Sequence, residues 1–141
     1  MNNLNPYIQQ LVYQFFLLWH FCELYNDSMD DLMSDQDVYK FGKITSRIRT
    51  LLIKKDFKTV QNLLNSKLCK IVLNEITHPS PKCNYDILIA ESKFDSKLFI
   101  EMHYFGLSSS EAFKKYKHEY DELERYKKSY QMAHNKKLKL N

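Results

Sequence analysis

Apolar residues recur along most of the chain at spacings of three and four positions, which is the period of an amphipathic helix. Residues 35–54 and 56–77 follow this pattern over several turns, so each predicts one helix. Residues 7–25 are apolar on nearly every face, which predicts a helix that other helices or another protein cover on all sides. Because the connections between these segments are short, we predict a bundle of three antiparallel helices over residues 1–77.

Pro79 and Pro81 mark the clearest boundary in the sequence. Two prolines two positions apart hold the chain in an extended conformation and end the preceding helix. We therefore predict a linker at residues 78–85, which joins the bundle to a second helical unit at residues 86–141.

The second unit contains signals for three helices. Apolar positions at residues 86–105 predict the first helix, and Gly106 stands where a helix C-cap favours glycine. Ser108 and Glu111 have the spacing of a capping box, which predicts that another helix begins there. A last helix is predicted from about Asp121, although the segment from Ser108 onwards would equally suit one long helix.

Only two glycines occur in the 141 residues. Tight hairpin turns and phosphate-binding loops both need glycine, because they require positive φ angles and a close approach of the backbone. Strand-rich folds, P-loops and dinucleotide-binding turns are therefore nearly excluded. The predicted fold class is all-α: an N-terminal three-helix bundle followed by a C-terminal three-helix unit.

Acidic and basic residues are separated along the chain. The first 37 residues contain six acids and no Lys or Arg. Residues 26–37 predict an acidic loop, with room for one helical turn around Met29, Leu32 and Met33. The rest of the chain holds all 21 basic residues and 11 acids, and the last 17 residues have six basic residues and no acid. A basic end on a folded chain is typical of a protein that binds phosphates or an acidic surface.

Two basic helix faces are candidates for nucleic-acid binding. Arg, Gln and Asn read base edges, whereas Lys mainly pairs with phosphate. The terminal candidates are Arg125, Lys127, Lys128, Gln131, Asn135, Lys136, Lys137 and Lys139. A secondary basic face consists of Lys40, Lys43, Arg47 and Lys54. The alternative for the first set is a solvated helix end, and for the second an ordinary solvated helix face.

The aromatic N-terminal helix is the candidate for binding other proteins. Phe15, Phe16 and Trp19 are of the residue types enriched in protein–protein interfaces. The same residues also suit the central helix of the bundle, and the sequence leaves both interpretations open. The apolar run from Leu11 to Cys22 has about 12 residues, fewer than the roughly 20 that span a bilayer, so no membrane contact is predicted.

Signals for catalysis and metal binding are weak. The five histidines are scattered and none lies in an H-E-x-x-H frame, and the three cysteines form no C-x-x-C motif. We therefore predict a protein that is not an enzyme and that needs neither a metal nor another cofactor. Reduced thiols and the basic charge favour an intracellular location, nuclear rather than cytoplasmic.

The C-terminal unit resembles the helix-turn-helix of homeodomain-like and Myb/SANT-like domains. The residues that carry the resemblance are Lys97 to Glu101 before Phe105 and Gly106, then Ser110 to Phe113, then Arg125 to Tyr130. In such domains the third helix lies in the major groove of DNA and a basic terminal segment touches phosphates. Size and composition are also similar to those of small homeobox-like accessory subunits of protist DNA adenine methyltransferase complexes.

These likenesses imply a non-enzymatic DNA-binding protein, an accessory subunit whose N-terminal bundle docks onto other subunits. The alternative is a helical adaptor that binds only other proteins through its aromatic N-terminal helix. A third class, a small viral or host-interaction helical bundle, shares the features of the adaptor.

Overall fold

The structure, a computed structural model, describes residues 4–81 and 83–139, and it describes side chains as far as residue 132. Within these residues the chain forms eight α helices and no strand, so the predicted all-α class is confirmed for this part of the chain. The helices are α1 (Pro6–Leu24), α2 (Asn26–Leu32), α3 (Asp35–Ile53), α4 (Phe57–Leu64), α5 (Lys67–Thr77), α6 (Asp86–His103), α7 (Ser109–Lys115) and α8 (Lys117–Lys139). In the described ranges, none of these helices combines the length and apolarity that crossing a bilayer requires.

Side-chain caps begin four of the helices at the positions that the sequence predicts. Asn5 caps α1 through the N–H of Tyr7, and Ser34 and Asp56 accept backbone N–H groups at the starts of α3 and α4. Ser108 and Glu111 form the predicted capping box of α7, in which each side chain accepts the other residue's backbone N–H. Each cap satisfies N–H groups that lack a partner within their own helix, which fixes the helix start.

Two elements differ from the sequence prediction. The acidic segment after α1 is more helical than the predicted loop with one turn, because Asn26–Leu32 forms the seven-residue helix α2 and packs the fully buried Met29 into the core. The predicted helix over residues 56–77 is two helices, with Asn65 ending α4 and Ser66 in extended backbone before α5. Asn and Ser bond readily to nearby backbone and so favour helix ends, which allows the change of direction.

Helix α1 is the centre of the fold and packs against α3, α4, α5 and, most extensively, α6. It runs antiparallel to α6, since Tyr25 Oη donates to the carbonyl of Asn84 at 3.0 Å while the rings of Phe16 and Phe99 meet near the other end. Five helices therefore precede Pro79 and three follow it, rather than three and three. One core cluster contains residues from both sides of the predicted boundary at residues 78–85.

The C-terminal helices are held to each other by a buried carboxylate. Glu101 on α6 is 4% exposed and accepts hydrogen bonds from Lys115 Nζ at 2.7 Å and Tyr116 Oη at 2.9 Å. Burial raises the pKa of Glu101, but these two hydrogen bonds and the charge of Lys115 outweigh it and leave the pKa below its usual range. Tyr116 separates α7 from α8, so the segment after Ser108 forms two helices, and the second begins at Lys117 rather than Asp121.

Gly106 has the role that its position predicts. Its φ angle is 75°, in the left-handed region that glycine adopts at helix ends. The N–H of Leu107 donates to the carbonyl of Glu101 at 3.0 Å, which closes the end of α6 and turns the chain towards α7.

Candidate nucleic-acid interface

The inner side of α8 faces α6, and one of the predicted terminal cations lies there. Lys127 Nζ is 2.6 Å from Glu91 Oε1 on α6 and 3.7 Å from Glu124 on its own helix. The hydrogen bond to Glu91 raises the pKa of Lys127 above its usual range, so the side chain keeps its charge and the ion pair. Lys127 therefore helps to hold α8 on the protein, and its charge is already neutralised by the protein itself.

The outer side of α8 carries the other described candidates. Arg125, Lys128 and Gln131 are exposed, and within the described side chains neither cation has an ion-pair partner. Their spacing of three places them near each other on one side of the helix. The side chains of Asn135, Lys136, Lys137 and Lys139 lie outside the described residues, although their backbone belongs to α8.

The second predicted face forms a continuous basic stripe on α3. Its four members are Lys40, Lys43, Arg47 and Lys54, and all four are exposed. At 3.6 residues per turn they fall within about 60° of the helix circumference and extend over about 21 Å of its length. No ion pair involves any of them in the described part of the chain.

The stripe belongs to a wider region of uncompensated positive charge. Residues 38–77 contain nine Lys and Arg but only Asp56 and Glu75 as acids. All nine cations are exposed, and among the described residues none forms an ion pair. Four of the cations after Pro81 are instead paired with acids, namely Lys97, Lys115, Lys117 and Lys127. Among the described side chains, most of the cations without an ion-pair partner thus lie in residues 38–77.

Both acids of this region are used by the fold itself. Asp56 caps α4 and also accepts the hydroxyl of Thr59 at 2.8 Å. Glu75 accepts the N–H and hydroxyl of Ser80 at 3.1 and 2.8 Å, and the hydroxyl of Tyr85 at 3.0 Å. Burial raises the pKa of Glu75, but these hydrogen bonds outweigh it and hold the pKa below its usual range. Neither carboxylate is positioned to pair with the α3 cations.

Tyr39 is a functional candidate that sequence reasoning missed. It is 66% exposed and lies about 40° around α3 from Lys43, at the edge of the stripe. Lys43 Nζ is 4.6 Å from the centroid of its ring, within the range of a cation–π contact. The available signal was an aromatic residue lying off the apolar stripe of a helix that also carries four basic residues off that stripe.

The aromatic side chains of α1 are divided between core and surface. Phe15 is 1% exposed and belongs to the core, whereas Phe16 is half-buried against Phe99 at 5.7 Å between ring centroids. Trp19 is half-buried and lines a shallow groove of about 270 Å³ between α1, α3 and α6, with Arg49 on its wall. Of the three predicted partner-binding residues, only Phe16 and Trp19 therefore reach the surface of the isolated chain.

The histidine and cysteine side chains do not converge. His20 Nε2 lies 2.6 Å from Asp95 Oδ2, which ties α1 to α6 inside the protein. Burial raises the pKa of Cys22 to about 11, which keeps this thiol protonated and poorly nucleophilic. In residues 4–81 and 83–132, no three His, Cys, Asp or Glu side chains are grouped so as to hold a metal ion.

Comparisons with family models, with curated proteins and with solved structures found no match to this chain. The resemblance of residues 86–141 to homeodomain-like and Myb/SANT-like domains therefore stays a prediction from the sequence. The interpretation of the basic surface rests on the geometry and charge of the chain's own residues.

Proposed function

We propose that this chain is a non-enzymatic nucleic-acid-binding protein. Its principal contact with phosphates is the basic stripe of α3, and the outer side of α8 with Arg125 and Lys128 adds a second contact. The observation that carries the proposal is that the nine cations of residues 38–77 are all exposed while no carboxylate in the described residues pairs with them.

The physical argument is electrostatic. A protein cation that already pairs with a carboxylate gains little from a phosphate, whereas an unpaired cation releases condensed counterions from the nucleic acid when it binds. Four stripe cations on duplex DNA would give a slope of about −3.6 in a plot of log affinity against log salt. Phosphate contacts of this kind give affinity without sequence specificity. Arg125 and Gln131 on α8 are described side chains of the types that read base edges.

The proposal retains the role of accessory subunit in a larger complex, such as a homeobox-like subunit of a DNA adenine methyltransferase complex, with a nuclear location. In that assembly the groove beside Trp19 is the surface for other subunits. The groove has aromatic walls and an unpaired cation, Arg49, which are features of residues that anchor protein interfaces.

The experiment that tests the proposal measures binding to a fluorescein-labelled DNA duplex by anisotropy at several salt concentrations. The variant K43E/R47E is compared with the control K93E/K114E, which reverses two exposed cations that also lack ion-pair partners in the described residues. Both variants change the net charge equally, so they separate a local contact from overall attraction. We expect K43E/R47E alone to weaken binding strongly, with a salt slope smaller in magnitude by about 1.8.

Equal losses in the two double variants would show that only net charge matters. Absence of binding by the wild-type chain at low salt, both to this duplex and to its separate strands, would refute the proposal. Melting temperatures of all three proteins establish that the substitutions leave the fold intact.

A second candidate function is the helical adaptor that binds only proteins, and the groove between α1, α3 and α6 favours it. Phe16, Trp19 and Met102 present apolar surface there, and aromatic residues and Met are enriched in protein–protein interfaces. If the chain binds no nucleic acid, Trp19→Ala becomes the informative variant, because it should abolish association with a partner. Trp19 also packs on the core, so the association is compared at a temperature where circular dichroism shows that the variant remains folded.

A further inference from the structure

The α3 surface combines two features that together suit the binding of a nucleic-acid strand. One is the row of unpaired cations, and the other is the ring of Tyr39 at its N-terminal edge. Tyr39 lies outside the apolar core and outside the set of partly buried residues that pack on it. Its ring is more exposed than those of Tyr7, Tyr126 and Tyr130, the other exposed tyrosines of the described part of the chain.

We infer that α3 binds single-stranded rather than duplex nucleic acid, with the ring of Tyr39 stacking on a base while Lys43 and Arg47 neutralise the neighbouring phosphates. This inference rests on the proposed function and specifies its substrate. It differs from the major-groove docking that the helix-turn-helix resemblance implies, because it uses α3 and an unpaired base.

The first argument is the accessibility of a base to the ring. In a duplex the faces of the bases are covered by their neighbours in the stack, so an aromatic ring on a helix surface reaches only edges and backbone. In a single strand each base presents a free face, and non-specific single-strand binders combine a cationic track with aromatic rings on which bases stack. The ammonium of Lys43 lies over the Tyr39 ring, and at 66% exposure much of the residue remains open to solvent.

The second argument is the composition of the stripe. Between Tyr39 and Lys54 there is no Asn or Gln, the residues that read adenine with paired hydrogen bonds. Three of the four stripe cations are lysines, which bind phosphate as point charges rather than reading bases. This surface is therefore equipped for backbone contact and stacking, which tolerate any sequence, and poorly equipped for reading a duplex.

The third argument is length. The stripe extends over about 21 Å, which corresponds to about six nucleotides in a strand stacked as in duplex DNA, at 3.4 Å each, and to fewer in an extended single strand. A 12-nucleotide strand is therefore long enough to cover the stripe and short enough to limit binding of several protein molecules.

The test uses fluorescence anisotropy of the full chain with labelled oligo(dT) of 12 nucleotides, its RNA counterpart oligo(rU), and the duplex of oligo(dT) with oligo(dA). The variants are Y39A, Y39F and the control Y126A, which removes an exposed tyrosine of α8. Loss of one stacked base weakens binding by about 5- to 150-fold. We expect Y39A to lose this much on the single strands, Y39F to retain near wild-type affinity because its ring is intact, and Y126A to change binding less than 2-fold.

A wild-type preference for duplex, or an equal loss of affinity by Y39A on duplex and single strands, would overturn the inference.

The two proposals can fail separately. If K43E/R47E abolishes binding while Y39A has no effect on any probe, phosphate contact by α3 stands and the stacking inference falls. If no probe binds the wild-type chain, both fall. If the single strands bind, the comparison of oligo(dT) with oligo(rU) shows whether the chain prefers DNA or RNA, since only RNA offers a 2′-hydroxyl.

Discussion

Replacing Leu88 by Ala tests whether the helices before and after the proline segment form one cooperative unit. Leu88 lies on α6, is 0% exposed and belongs to the core cluster that includes Leu11, Phe15 and Leu18 of α1. Truncating a fully buried leucine removes apolar contacts and leaves a cavity, at a cost of about 2–5 kcal/mol. Single domains have a free energy of unfolding of about 5–15 kcal/mol, so the loss should be a large fraction of the total.

The measurement is urea unfolding followed by two probes. Trp19, the single tryptophan, reports on α1 through its fluorescence, whereas far-UV circular dichroism reports on all helices. Leu88 is about 16 Å along α6 from Phe99, beside the groove that Trp19 lines, so the substitution does not touch the fluorophore directly. We expect both transitions to move together to lower urea with an unchanged slope. Met132→Ala, at an exposed position, is the control and should change stability by less than about 0.5 kcal/mol.

A different result would refute the reasoning. If the Trp19 transition keeps its midpoint while the circular dichroism separates into two steps, then α6 does not stabilise α1. The chain would then consist of two independent domains, at residues 1–77 and 86–141, as the proline segment suggests in the sequence.

Two further substitutions test the C-terminal contacts and the helix ends. Glu101→Gln should lower the urea midpoint at pH 7. Folding depresses the pKa of Glu101, so its carboxylate contributes stability above the unfolded pKa and loses that contribution when it is protonated. The difference in midpoint should therefore shrink as the pH falls below about 4.3. A pH-independent difference would contradict an ionised Glu101. Gly106→Ala should destabilise the chain by about 1–2 kcal/mol in thermal melts, since alanine is strained at a φ of 75°. Its control is Gly42→Ala, where a Cβ meets nothing within 4 Å. Because Gly42 lies in the interior of α3, this substitution should raise the free energy of unfolding by about 0.5–1 kcal/mol. A loss at Gly42 equal to that at Gly106 would contradict the explanation from backbone strain.

The parts of the fold that the sequence predicts well are those that depend on near neighbours. Asn5, Ser34, Asp56 and the Ser108–Glu111 pair start helices because each bonds to backbone within a few residues. The break at Asn65 was missed, although its residues are helix-ending types, because the apolar spacing continues through it. Local chemistry and apolar periodicity disagreed at this position, and the local chemistry determined the structure.

The features of the structure that could not be predicted from the sequence depend on contacts between distant segments. Lys127 looked like a free cation of the basic end, but folding brings it to Glu91, and only the packing of α8 on α6 reveals this. The α3 cations looked like a secondary face, yet folding leaves them without partners. Which of the described charges remain unpaired is therefore a property of the tertiary structure, and the net charge along the sequence does not reveal it.

The packing of α1 against α6 determines how long the apolar side chains of α1 stay exposed to solvent during synthesis. The most apolar helix, α1, leaves the ribosome before α6, and α6, which covers it most extensively, is completed only when His103 has been added. At 5–20 residues per second this delay is about 4–16 s, far longer than the microseconds in which a helix forms. During that interval α1 exposes the side chains that later become the core, so the nascent chain has the properties of a chaperone substrate even though the finished protein buries them.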